Sequence, residues 1–124
     1  AGWRQMHTPI KSDFRAAAAY VEARRQPGEL LLFQMPYSRV VYEHYAGAQA
    51  AAVDGRYTNN DNPVAQVEEE MRQTVGDAPA VWLIASEEEA WDQRRLVRQW
   101  LEDHGEMTDQ QDFARVEVVR YAIQ

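Results

Sequence analysis

The stretch that most constrains the fold is Pro27-Gly28-Glu29-Leu30-Leu31-Leu32-Phe33-Gln34-Met35-Pro36-Tyr37. Pro27-Gly28 stops whatever precedes it. Leu30 to Phe33 is apolar without alternation, the pattern of a strand covered on both faces, as in a parallel sheet. Pro36 ends the run, because proline has no N–H to give to a ladder. Ala80-Val81-Trp82-Leu83-Ile84-Ala85 is a second unbroken apolar run. Leu30–Gln34 and Val81–Ala85 are therefore expected as adjacent or near-adjacent parallel central strands.

Helical patterning surrounds them. Ser12 reads as an N-cap, and Phe14, Ala17, Ala18 and Val21 share one face of a helix over about 13–25. Ser38, Val41, Tyr42 and Tyr45 place a short helix after the first strand, ending near Gly47. Residues 49–53 suggest a weak second strand, and 57–62 a polar loop. Asn62-Pro63 reads as N-cap and first helical residue, followed by Val64, Val67, Met71 and Val75 at helical spacing. Ser86-Glu87-Glu88-Glu89 fits a capping box that opens one helix, with Ala90, Val97, Trp100 and Leu101 inward and Gly105 at its close. Residues 106–112 and 116–121 read as an antiparallel strand pair. The sum is an α/β fold: a three-layer, Rossmann-like arrangement with a mostly parallel sheet and a C-terminal antiparallel strand pair. Residues 1–12 form a lead-in segment and 13–124 one domain. The expected core is Phe14, Val21, Leu31, Phe33, Val67, Met71, Val81, Leu83, Val97 and Leu101.

With 13 basic and 20 acidic residues among 124, the net charge is −7. That opposes nucleic-acid binding, which depends on Lys and Arg neutralising phosphates. Cysteine is absent, so a disulfide scaffold and a thiolate metal site are excluded. No run approaches the roughly 20 apolar residues of a membrane span. The chain opens on Ala1-Gly2 and not on Met, which reads as a piece cut from a larger protein with a tag remnant at 1–2.

Catalytic signatures are missing. There is no Gly-rich phosphate loop, no G-x-S-x-G elbow and no Asp-x-Asp pair. Ser12, Ser38 and Ser86 fit caps or helix starts. His7, His44 and His104 do not pair at metal-ligand spacing. Glu87 to Glu89 with Asp92 read either as a cation site or as acids complementing a helix dipole. No catalytic residue, metal or cofactor is assigned. The candidate ligand site is an aromatic rim at the carboxyl ends of the two strong strands, where open α/β sheets bind ligands. Its members are Gln34, Tyr37, Arg39, Tyr42, Ser86 and Trp91. They would stack on a sugar ring and bond its hydroxyls; alternatively, the rings pack into the core.

Certain residues also carry a resemblance. They are Lys11-Ser12-Asp13-Phe14-Arg15 with Ala18, Tyr20 and Val21; Pro27-Gly28-Glu29; Tyr37 to Tyr45; and Val81-Trp82-Leu83-Ile84 leading into Ser86. Leu96-Val97, Trp100-Leu101-Glu102, Gly105, Phe113, Val116, Val118 and Tyr121 continue it. Together they resemble the C-terminal soluble extracytoplasmic domain of bacterial polytopic glycosyltransferases similar to the dolichyl-phosphate-mannose–protein mannosyltransferase (family 39) type. The segment 46–62 takes no part in it. The resemblance implies a parent protein with many membrane helices that uses a polyprenyl-phosphate sugar and keeps its catalytic acid in the membrane part. This chain would then be a non-catalytic accessory domain. Its partners would be that membrane domain and a glycan or lipid-linked sugar, and it would lie on the extracytoplasmic face of the cell membrane. A free-standing sugar-binding module is the alternative reading.

Overall fold

The computed structural model describes residues 12–48, 51–55, 58 and 62–124, except for the side chains of 89 and 90. In chain order the elements are α1 (Phe14–Glu22), β1 (Leu30–Phe33), α2 (Pro36–Ala46), β2 (Ala52–Asp54) and α3 (Val64–Val75). Then follow β3 (Ala80–Ala85), α4 (Glu88–Trp91), α5 (Leu96–His104), β4 (Gly105–Phe113) and β5 (Val116–Ile123). The fold is α/β, with one five-stranded mixed sheet in the order β2-β1-β3-β5-β4. β1 pairs in parallel with both β2 and β3, with Leu30 opposite Val81 and Phe33 opposite Ile84. β5 runs antiparallel to β3 and to β4. The two apolar runs are thus adjacent parallel strands, and the C-terminal pair is antiparallel, as expected.

Strand alternation divides the core in two. Leu31, Phe33, Trp82, Ile84, Val116 and Val118 pack with Phe14, Ala17, Ala18 and Val21 of α1 and Tyr42 of α2. Leu32, Val81, Leu83, Val119 and Tyr121 pack with Val67, Met71 and Val75 of α3 and Val97, Trp100 and Leu101 of α5. All ten side chains expected in the core are buried. β1 and β3 feed both clusters, which is why neither shows a polar alternation.

Several helix starts differ from expectation. Asp13, and not Ser12, caps α1: its carboxylate accepts from the Ala16 backbone N–H at 3.1 Å. Its own N–H donates to Ala114 O at 2.9 Å, tying the start of α1 to the β4–β5 turn. Pro63 holds the cap position of α3 and the helix opens at Val64, one residue later than the Asn62-Pro63 signal implies. The largest difference follows β3. Glu87 takes a left-handed conformation (φ 53°), so no capping box forms with Ser86 as cap. The single helix expected over 86–104 is instead one turn, α4, and a separate α5 preceded by left-handed Arg95 (φ 56°). The weak strand expected over 49–53 is the short edge strand β2, in so far as those residues are described. Residues 1–11 of the expected lead-in segment, His7 among them, and most of the polar loop expected over 57–62 lie outside the described residues.

Two glycines let backbones approach. A Cβ on Gly105, where α5 passes directly into β4, would meet Ala122 O at 2.8 Å. A Cβ on Gly55 would stand 3.1 Å from Phe33 O and 3.3 Å from Gln34 Cα. The chain leaving β2 therefore crosses close over the end of β1, and Gly55 N donates to Phe33 O at 2.6 Å.

Candidate functional site

Gln34 follows the last residue of β1, and its backbone N–H donates to Ile84 O at 3.2 Å. Its side chain is fully buried. Nε2 donates to Glu88 Oε2 at 2.7 Å and to Asp92 Oδ2 at 3.2 Å. Two carboxylates on one nitrogen fix the orientation of the amide, since a flip would set its oxygen against both anions. Gln34 Oε1 then has no hydrogen-bond partner among the described residues.

Asp92 is the organising carboxylate. It is fully buried and accepts from four groups. The Leu96 backbone N–H reaches Oδ1 at 3.0 Å and that of Val97 reaches Oδ2 at 3.2 Å, so Asp92 caps α5 from ahead of its first turn. The Thr58 hydroxyl and Gln34 supply the other two bonds. Burial pushes the Asp92 carboxyl above its usual range, although all four hydrogen bonds pull the other way. Thr58 is itself fastened to the same turn, with its N–H on Trp91 O at 2.9 Å and its carbonyl accepting from Arg94 Nε at 2.7 Å.

Beside this group stands an ion-pair triad. Arg98 of α5 donates from Nε to Glu88 Oε2 at 2.9 Å and from Nη2 to Glu117 Oε1 at 2.7 Å. Burial disfavours the charged guanidinium, but the two carboxylates outweigh it and hold its pKa above the ordinary value. Arg95 approaches the other oxygen of Glu88 at 3.6 Å. An open cleft of about 560 Å³ is lined by Glu88, Asp92, Gln93, Arg95, Arg98 and Glu117. It lies past the carboxyl ends of β1 and β3, the edge at which open α/β sheets take ligands.

The six residues expected on an aromatic rim separate. Gln34 lies in the polar group just described. Ser86 is buried at the end of β3 and lines a second, smaller cleft. Trp91 closes α4 and gives its carbonyl to Thr58. Tyr42 sits in the core and not on the rim. Its ring meets Phe33 edge-on at 5.1 Å between centroids, and its hydroxyl donates to Glu22 at 2.5 Å. Burial and the neighbouring Glu22 carboxylate both raise the Tyr42 pKa. Tyr37 stands outward with 65% exposure, and Arg39 lies between Glu43 at 3.6 Å and Asp54 at 4.0 Å. Position along α2 separates these three. The residues facing the sheet are Ser38 and Tyr42, four apart, and Tyr37 and Arg39 fall off that stripe.

Sequence reasoning missed Thr58, Arg98 and Glu117, and placed Glu88 and Asp92 only in an acidic run read as a cation site or a helix start. One signal for Asp92 is present: an Asp four residues before Leu96-Val97 marks a helix start as well as an interior position. The Arg98–Glu117 pair has no such local signal.

Comparison with known proteins finds no matching family model, no significantly similar curated protein and no significantly similar solved structure.

Proposed function

We propose that this is a binding domain whose ligand is neutral and rich in hydroxyl groups, held in the cleft beside the Glu88–Arg98–Glu117 triad. The observation that carries the reading is the state of the cleft's charges. Arg98 is engaged by two carboxylates, and Asp92 is occupied by four donors. A lining of already paired ions offers little net field to a phosphate, while its remaining lone pairs and N–H groups suit hydroxyls. The orphan acceptor Gln34 Oε1 adds a demand for a donor beneath the cleft.

The setting comes from the resemblance. On that reading the fold is a three-layer, Rossmann-like domain of a membrane glycosyltransferase-like protein. It stands on the extracytoplasmic face and binds or orients the acceptor, or packs over the membrane domain, without catalytic residues of its own. Among the described residues no helix is long and apolar enough to cross a membrane; on this reading any membrane spans would be supplied by the parent protein outside these residues. A free-standing sugar-binding module is the second reading.

The full-length gene product separates the two settings. Several membrane-spanning segments ahead of the domain, with a reporter fused at Gln124 active only outside the cytoplasm, are expected. A full-length product without such segments contradicts the accessory role.

A further inference from the structure

The cleft is one of two that meet at a shared wall. Glu88, Arg98 and Glu117 line both spaces. The wall is pinned from three elements, with Glu88 in α4, Arg98 in α5 and Glu117 in β5. The Arg98 side chain is only 8% exposed and pairs with both Glu88 and Glu117, so the three form one ion-paired ridge between the spaces.

The two sides of this ridge differ in chemistry. The larger space adds Asp92, Gln93 and Arg95, all polar. The smaller, about 300 Å³, adds Ser86, Phe113 and Val116 beside the charged Glu87, Asp112 and Arg115. The Phe113 ring meets that of Tyr20 edge-on at 5.7 Å. Each space lies at or above the lower end of ordinary ligand pockets, roughly 300–1,000 Å³. A polar recess followed by an aromatic and apolar surface with a hydroxyl beside it matches a chain of sugar rings. Each ring presents hydroxyls around its edge and C–H groups on its faces.

We propose that the two clefts are adjacent subsites for one extended ligand. It is a neutral oligosaccharide of two or more units, lying across the Glu88–Arg98–Glu117 ridge. The proposal rests on the larger cleft being a saccharide site. Two separate small ligands fit less well, because both would press on the same three side chains. An anionic chain is disfavoured in the smaller cleft, where the four acids Glu87, Glu88, Asp112 and Glu117 outnumber the two arginines Arg98 and Arg115.

The test is calorimetric titration of the domain with manno- and gluco-oligosaccharides of one to four units, paired with amide shifts on labelled protein. Affinity should rise about tenfold or more between the monosaccharide and the di- or trisaccharide of the same sugar, then level off. Shifts at Ser86 and at 112–116 should appear only with the longer ligands, so the result does not depend on any variant folding. Equal affinity along a series, or shifts confined to the larger cleft, would overturn the two-subsite proposal and leave the single-cleft reading standing. Absence of binding by every saccharide would overturn both.

Discussion

The side-chain amide of Gln34 donates to the Glu88 carboxylate at 2.7 Å, joining residues 54 positions apart at the carboxyl edge of the sheet. The same nitrogen also serves Asp92. The arrangement requires a neutral donor between two acids. Gln34→Glu would bury a third carboxylate there, costing about 3 kcal/mol or forcing the new group to stay protonated. The loss should grow as pH rises. Urea titrations at two pH values check this, and a loss under about 1 kcal/mol at neutral pH would contradict it.

Asp92 makes a second prediction. Its carboxyl is raised by burial above the ordinary 3.8. The folded state therefore holds the proton more tightly than the unfolded chain. Its contribution to stability falls as pH rises from the ordinary value through the raised one, then stays level. Asp92→Ala should remove that slope. It should also free the Leu96 and Val97 N–H groups, costing about 1–3 kcal/mol. Hydrogen exchange at those two amides should accelerate while exchange within β3 keeps its rank order. Unchanged protection at Leu96 would contradict the capping role.

At the other end of β1, Glu29 is buried against Arg120, with Nη2 at 2.5 Å, and accepts from Trp82 Nε1 at 2.8 Å. Burial alone would raise its pKa. The bonds from Arg120, Trp82 and the Gln26 N–H outweigh it, and the carboxyl lies below its ordinary 4.5. The stabilisation is full above the ordinary value and is lost as pH falls through the lowered one. Glu29→Gln should cost about 2 kcal/mol near neutral pH and flatten the acid limb of the stability curve. An acid limb of unchanged steepness would show that other carboxylates dominate it.

Tyr42 and Tyr37 separate core from surface on one helix. Tyr42→Phe removes the bond to Glu22 and should cost about 1 kcal/mol with no change in ligand binding. Tyr37→Ala, at an exposed site, should leave stability within about 0.5 kcal/mol. Thermal melts of both variants decide this, and the reverse ranking would contradict the placement.

The sequence disclosed the elements whose signal is local. Leu30–Phe33 and Ala80–Ala85 were legible because a strand buried on both faces has an unbroken apolar run. The inward faces of α1, α3 and α5 were legible through their 3.6-residue spacing. The break between α4 and α5 was not, because it depends on Asp92 turning its carboxylate to Leu96 and Val97 and on two non-glycine residues taking positive φ. The site was only half legible. Gln34 and Ser86 follow from where strands end. Tyr42 follows the alternative of core packing and not the rim, and the sequence left the two open because aromatic content says nothing about which face of a short helix meets the sheet. Arg98 and Glu117 meet only once β5 has paired with β3, a non-local event that no window of sequence contains.

The claim that the carboxyl edge of the sheet is the binding edge has one direct measurement. Mono- and oligosaccharides and polyprenyl-phosphate analogues are titrated into the labelled domain, and amide shifts are mapped. Neutral sugars are expected to move Glu88, Asp92, Arg95, Arg98 and Glu117, with Ser86 joining only for the oligosaccharides, and the phosphates are expected to move none of them. Shifts confined to the opposite edge, near Gly28 and Pro79, or a response to the phosphates alone, would contradict it.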